Sequence, residues 1–211
     1  MSKVSERQLE RYPLYLNHLI ALRDSGVENI SSPAIAKALK LSEEQVRKDL
    51  QVVTKSEGKP KLGRDINELI DDIKSFLGYT SKKSAAIVGV GHLGGALINY
   101  KGFEDFGLNI VCGFDIDSKV VGKSINNKEI YSIYQLANKI EELGIEIAIL
   151  VVTSEAAQQV ANMLVNAGIK AIWNFVPVHL NINSDVVVEN INIASSLAIL
   201  EHKLKTKEID E

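Results

Sequence analysis

The stretch that decides the fold is Ser84–Asp117, SAAIVGVGHLGGALINYKGFEDFGLNIVCGFDID. A short apolar run, Ala85–Val88, leads into Gly89-x-Gly91-x-x-Gly94, and apolar residues at helical spacing follow. A second apolar run, Leu108–Phe114, ends in Asp115, 21 residues beyond Gly94. Strand, glycine turn, helix, strand and acid in this order read as a dinucleotide-binding βαβ unit. Gly89 allows the tight turn, Gly91 lets the backbone approach a pyrophosphate, and Gly94 lets the helix pack close to the strand. Val90, His92 and Leu93 complete the turn and the first helical residues, whose free N–H groups would face the phosphates. Asp115 is the expected acceptor for the adenosine ribose hydroxyls. A 2′-phosphate usually needs a nearby arginine, and no Arg follows Arg64. The reading is therefore NAD rather than NADP; the bland alternative is a Gly-rich turn that binds nothing.

Downstream, Ser118–Lys128 reads as a polar loop and Tyr134–Leu143 as a helix. Ile147–Val152 is an unbroken apolar run, the pattern of a central parallel strand. Ser154 then caps a helix with Ala157, Val160, Ala161, Leu164 and Val165 on its apolar side. Ala171–Phe175 and Val186–Val188 are two further short strands. Alternating strands and helices imply a parallel, doubly wound sheet. Ligands bind such sheets at the carboxyl ends of the strands, which puts Thr153, Phe175 and Pro177 near the nicotinamide end. The last helix, Asn192–Lys205, aligns Ile193, Leu197, Leu200 and Leu204 on one side, a stripe to be covered by its own domain or by a second copy of the chain. The second is favoured if the amino-terminal head binds DNA as a dimer. The lysine-rich tail beyond it is expected to fray.

Upstream, Gly78–Lys83 reads as a linker after an amphipathic helix, Ile66–Leu77. Before that, Pro13–Asp24 forms a first helix with an apolar stripe of Tyr12, Leu16, Leu19 and Ile20. Ser31-Ser32-Pro33 is an N-cap followed by proline, opening a short helix, Ala34–Leu39. Ser42-Glu43-Glu44-Gln45 fits a capping box. The helix it starts buries Val46, Leu50 and Val53, and turns Lys48, Gln51 and Lys55 outward with Arg47 on the flank. Two short helices, the second cationic, point to a helix-turn-helix. Lys55–Lys61 then supplies a basic wing tip. The expected DNA-binding residues are Ser42, Gln45, Arg47, Lys48, Gln51, Lys55, Lys59 and Lys61.

The charge distribution agrees. Residues 1–64 carry 12 Lys and Arg against 8 Asp and Glu, whereas residues 65–211 carry 12 Lys against 19 acids. A basic head and an acidic body follow. No stretch approaches the roughly 20 apolar residues of a membrane span, and the start, MSKVSERQLERY, is too polar for a signal peptide. The chain reads as cytoplasmic. One cysteine, Cys112, excludes an internal disulfide framework. The histidines His18, His92, His179 and His202 show no ligand spacing, so no metal is expected.

A helix-turn-helix head followed by a lone NAD-type domain resembles the Rex family of redox-sensing transcriptional repressors. The resemblance rests on Gln45-Val46-Arg47-Lys48-Asp49-Leu50, Val88-Gly89-Val90-Gly91-His92-Leu93-Gly94 and Asn99-Tyr100-Lys101-Gly102-Phe103. It extends through Phe114-Asp115-Ile116-Asp117, Glu155-Ala156-Ala157-Gln158, Asn174-Phe175-Val176-Pro177 and Val188-Glu189-Asn190-Ile191. It implies a homodimeric repressor whose terminal helices are exchanged beside the nicotinamide ends of two NAD(H) sites. It also implies binding to operator DNA when NADH is scarce and release when NADH binds. Tyr100 matches a family tyrosine near that switch. Three positions depart from the family pattern. The wing Gln51–Gly58 lacks the usual aromatic and glycine content. Asn192-Ile193 stands where many members have Asp-Phe, and Asn17 stands where an arginine pairs with that Asp. Both charged partners are lost together, which avoids stranding a buried charge.

The expected architecture is thus α/β. A winged-helix domain covers 1–78, a Rossmann-like domain 79–191, and a domain-swapped helix and tail 192–211. Two other functions fit parts of the pattern. A dehydrogenase would need a substrate domain and an acid–base pair near the nicotinamide, and neither stands out. A coenzyme A or adenine-nucleotide binding module would use the same glycine turn.

Overall fold

The computed structural model describes residues 4–55, 58, 62–182 and 185–210. The chain divides after Ser81 into two compact units. The first contains α1 (Glu6–Leu9), α2 (Arg11–Asp24), β1 (Asn29–Ile30), α3 (Ser32–Leu39), α4 (Glu43–Val53), β2 (Arg64–Asp65) and α5 (Ile66–Leu77). Strands β1 and β2 pair antiparallel. Short polar side chains set the helix starts. Ser31 Oγ accepts the Ala34 N–H at 3.3 Å, with Pro33 in the first turn. Ser42 Oγ accepts the Gln45 N–H at 3.2 Å. Among the described residues only this half of the expected capping box forms. Lys40, in the left-handed region with φ 55°, makes the tight turn between α3 and α4.

The core of this unit is Tyr12, Tyr15, Leu16 and Leu19 of α2, packed with residues such as Ile35, Val46, Leu50, Ile66, Leu69 and Ile73. Burial of each such aliphatic side chain contributes about 1.5–3 kcal/mol. The expected stripe on α2 is corrected by one position: Ile20 is only half-buried, and Tyr15 is fully buried. Lys55 lies beyond α4, which ends at Val53 with Thr54 as its C-cap.

The second unit contains β3 (Lys83–Val88), α6 (His92–Asn99), β4 (Leu108–Asp115), β5 (Ser124–Ile125), β6 (Lys128–Ser132), α7 (Leu136–Glu142) and β7 (Ile147–Leu150). It continues with α8 (Ser154–Asn166), β8 (Ala171–Asn174), β9 (Val187–Asn190) and α9 (Ile193–Asp210). A short 3-10 helix, Lys101–Phe106, precedes β4, and another, Ile133–Gln135, precedes α7. The seven strands lie in the order β5-β6-β4-β3-β7-β8-β9. All neighbours are parallel except β5 and β6. The chain runs outward from β3 in one direction to β4 and β6, and in the other to β7, β8 and β9. This reversal makes the carboxyl ends of β3 and β7 the switch point of a doubly wound sheet. Apolar clusters cover both of its faces.

Three expectations change here. The stretch expected as a loop, Ser118–Lys128, contains β5 and the first residue of β6, joined through Asn126 and Asn127 at φ 49° and 60°. Two consecutive left-handed asparagines suit a two-residue hairpin turn. Strand β6 escaped notice because only Ile130 of its five residues is buried. The cap of α8 is Thr153, not Ser154, which is the first helical residue. The terminal helix runs to Asp210, so the tail expected to fray continues it.

The glycines of α6 give a sharp test. A β-carbon on Gly94 would collide with the Gly89 carbonyl oxygen, whereas one on Gly95 would meet nothing within 4 Å. Gly94→Ala is expected to destabilise the protein by about 2 kcal/mol or more, because backbone cannot move aside. Gly95→Ala is expected to stabilise it by about 0.5–1 kcal/mol through lower unfolded-state entropy. Urea midpoints of the two variants, shifted in opposite directions, would bear this out.

Candidate functional site

The glycine turn joins the end of β3 to α6. Gly89 has φ +96°, and a β-carbon there would come within 2.5 Å of the Val151 carbonyl oxygen. Neither the conformation nor the contact tolerates another residue. Gly91 is the N-cap of α6, has no side chain to spend on the helix, and faces open space. His92 and Leu93 are exposed in the first turn. The orphan N–H groups of a helix start favour an anion there. Asp115, at the end of β4, accepts the Val90 N–H at 2.6 Å through Oδ2 and the Asp117 N–H at 2.9 Å through Oδ1. The acid is thereby held across the mouth of the glycine turn.

Between these elements lies a cleft of about 380 Å³. Val88, Gly89 and Gly91 line one side, Asp115 and Ile116 a second, and Val151, Val152 and Thr153 a third, with α8 closing it. The cleft brings together Gly89, Gly91, Asp115 and Thr153 of the expected residues. Gly94 is buried beneath it, and Val90 is held by Asp115. Tyr100, Phe175 and Pro177 lie outside its lining.

Phe175 and Pro177 follow the end of β8, whereas Tyr100 is the C-cap of α6. An aromatic row runs Tyr100–Phe103–Trp173–Phe175, with ring centroids 4.9, 5.8 and 5.0 Å apart. Tyr100 lies so close over Gly102 that a β-carbon there would meet its ring at 2.5 Å. Pro177 is exposed beside this row. Its loop is set by Asn174, a fully buried polar residue. Asn174 Nδ2 donates to the Val178 carbonyl at 3.1 Å and to Asn190 Oδ1 at 2.9 Å, and its Oδ1 accepts the Val176 N–H at 3.0 Å. Cys112, deep in β4, has its thiol pushed up to about 12 by burial, which keeps it protonated and inert.

In the first unit, α4 presents Arg47, Lys48 and Gln51 to solvent. Arg47, Gln51 and Lys55 line a groove of about 590 Å³ together with Ser31, Ser32, Thr54, Gly58 and Arg64. Ser42 and Gln45 lie outside that groove, at the start of α4. Lys48 is paired with Glu44 at 2.7 Å across one helical turn. This hydrogen-bonded partner raises the lysine and lowers the glutamate. Lys59 and Lys61 lie outside the described residues. The sequence reading missed Arg64 and the pair Ser31 and Ser32, which only β1–β2 pairing brings beside α4.

It also missed what holds α4. Asp49, on its buried face, takes a two-point pairing from Arg11, Nε to Oδ2 at 2.6 Å and Nη2 to Oδ1 at 2.8 Å. Tyr15 donates to the same carboxylate at 2.7 Å, and Tyr12 donates to the Asp49 carbonyl at 2.9 Å. Hydrogen bonding to Asp49 raises Arg11, and burial followed by the same bond raises Tyr15. Planar guanidinium and carboxylate fix α4 against α2 in one orientation.

Comparison with known proteins follows this division. Residues 3–51 match a family described as a putative DNA-binding protein N-terminus, and residues 80–178 match the CoA binding domain. The redox-sensing transcriptional repressor Rex of Bacteroides thetaiotaomicron is 38% identical over 208 residues, 99% of this chain and 94% of the relative. That of Treponema denticola is 40% identical over 199 residues, 94% of each chain. This chain belongs to the Rex family.

Solved Rex-family structures match it throughout. The repressor RSP in complex with β-NAD+ and operator DNA has a TM-score of 0.90 at 32% identity, covering 99% of this chain and 96% of that one. RSP in complex with β-NADH has a TM-score of 0.87 over 99% and 98%. The relatives are transcriptional repressors, so the dehydrogenase reading is set aside and the chain is a regulator. No helix among the described residues is long and apolar enough to cross a membrane. Among the same residues no cluster of His, Cys, Asp or Glu could hold a metal.

Asp49→Ala is expected to lower stability by about 3 kcal/mol or more, because it strands the Arg11 charge and the Tyr15 hydroxyl, while Tyr12 keeps its backbone carbonyl partner. Arg47→Ala, on the exposed face of the same helix, is expected to stay within about 0.5 kcal/mol of the parent. Denaturant unfolding followed by circular dichroism separates the two.

Proposed function

We propose that this chain is a repressor that holds operator DNA on the α4 groove and lets it go on taking up NADH. One observation carries the reading: a Rex-family chain combines a glycine-turn cleft at a sheet switch point with a cationic helix-turn-helix groove. NAD+ and NADH share the adenosine and pyrophosphate and differ at the nicotinamide, whose oxidised ring alone carries a positive charge.

At the cofactor end, the Gly91, His92 and Leu93 N–H groups at the start of α6 would hold the pyrophosphate. Gly89, Gly91 and Gly94 leave the space for it. Asp115 would exchange the Val90 N–H for ribose hydroxyls, and Thr153 would border the ribose. Tyr100, Phe175 and Pro177, around the aromatic row, would border the nicotinamide. At the DNA end, Arg47, Lys55, Lys59 and Lys61 would contact phosphates. Lys48 would join them by leaving Glu44. Ser42, Gln45 and Gln51 are the candidates for base or backbone contacts.

The reading includes a homodimer. Helix α9 leaves Ile193, Leu197, Leu200 and Leu204 exposed, and a second copy would cover them by exchange of these helices. In the family pattern the positions of Asn17, Asn192 and Ile193 belong to that exchange. Asn192 has a local use: its Oδ1 accepts the Ser195 N–H at 2.9 Å and caps α9. A neutral cap and a neutral Asn17 would let the helix seat without an ion pair. Localisation in the cytoplasm, beside the DNA, completes the reading.

Trp173, inside the aromatic row, reports on the nicotinamide end. Titration of its fluorescence is expected to show NADH binding at least about tenfold more tightly than NAD+, a difference of about 1.4 kcal/mol or more. Equal affinities would remove the redox-sensing reading.

A further inference from the structure

Helix α4 buries Val46, Asp49, Leu50 and Val53. At about 100° per residue, the positions directly opposite that face are Glu44, Lys48 and Gln51, and all three are exposed. Gln51 lines the groove that also holds Arg47 and Lys55. The outward ridge of the helix therefore carries a carboxylate in its first turn. A helix-turn-helix places the amino-terminal residues of its second helix among base edges. Glu44 is ionised there: its hydrogen bond with Lys48, at 2.7 Å, and the charges of Lys48 and Arg47 hold it below the usual carboxylate range.

A carboxylate on a face built to meet phosphates needs a reason. The helix start does not supply one, because Glu43 already places an acid in the first turn. Nor does the pair with Lys48, since the two side chains are 75% and 70% exposed and such pairs contribute little. Left beside DNA by Lys48, Glu44 would be repelled by the phosphates unless it accepted a hydrogen bond from a base. Amino groups in the major groove come from cytosine N4 and adenine N6. Adenine shows its N7 acceptor beside the amino group, which an acceptor-only side chain cannot use; cytosine shows the amino group alone.

We propose that Glu44 is a specificity-determining residue: on the operator it releases Lys48 to a phosphate and accepts the N4 amino group of a cytosine, one in each half-site. The proposal rests on the DNA-binding reading above and adds to it a residue of opposite charge. An acid in this place rejects more than it attracts. At any other base its charge meets the phosphates without compensation, so Glu44 lowers affinity for the rest of the DNA and spares the operator.

The test uses the full chain and a pool of duplexes with a randomised central segment, bound without NADH, recovered and sequenced. Single-base variants of the selected duplex are then titrated by fluorescence anisotropy at one salt concentration. The parent is expected to prefer cytosine at one position of each half-site by about 5- to 150-fold, the worth of one base contact. Glu44→Ala should reduce that preference to within about twofold, keep those at the remaining positions, and bind unselected duplex DNA more tightly than the parent does. Glu44→Gln should move the preferred base at that position toward adenine, because a carboxamide meets both N6 and N7. Both variants should melt within about 2 °C of the parent, since only an exposed pair is lost. A Glu44→Ala protein with the parent's base preferences at every position would overturn the proposal, as would loss of a preference for a base other than cytosine. A parent chain that selected no sequence from the pool would remove the DNA-binding reading as well.

Discussion

Helix α6 can start where it does only because two residues lack β-carbons. Gly94 packs on the Gly89 carbonyl, and Gly89 packs on the Val151 carbonyl at the end of β7. The end of β3, the start of α6 and the end of β7 therefore meet at distances that no other residue pair permits. The switch point of the sheet and the N–H groups of a helix start fall at one place as a result. Asp115 adds the acceptor, from the neighbouring strand, and the cleft follows from these approaches.

The amino-terminal unit is organised by a different device. Its exposed face carries the charges, but the buried face of α4 decides where they point. Asp49 takes hydrogen bonds from Arg11 and Tyr15 in a nearly dry setting. A buried ion pair of this kind adds little net stability compared with a hydrophobic alternative, but breaking it is costly. Its value here is orientation: α4 cannot rotate against α2 without stranding the carboxylate. Arg47 and Gln51 are thereby presented to the groove from a fixed helix.

Locally encoded features were legible from the sequence. The glycine triplet, Asp115, the Ser31 and Ser42 caps and the stripe of α5 each depend on residues within a few positions, so spacing alone exposes them. Features that depend on distant partners were not legible. Arg11 and Asp49 are 38 residues apart, and nothing in either neighbourhood announces the other. Asn174 read as one polar residue at a strand end, yet its partner Asn190 comes from β9. Strand β6 failed for a third reason. With Ile130 as its single buried residue, it lacks the apolar run that marks an interior strand.

A repressor of this kind couples a dinucleotide cleft to a DNA groove, and coupling between two binding sites is reciprocal. The most direct test is to measure operator affinity with and without saturating NADH, and NADH affinity with and without saturating operator. Each ligand is expected to weaken the other by the same factor, about tenfold or more. Operator affinity that did not respond to NADH would contradict it.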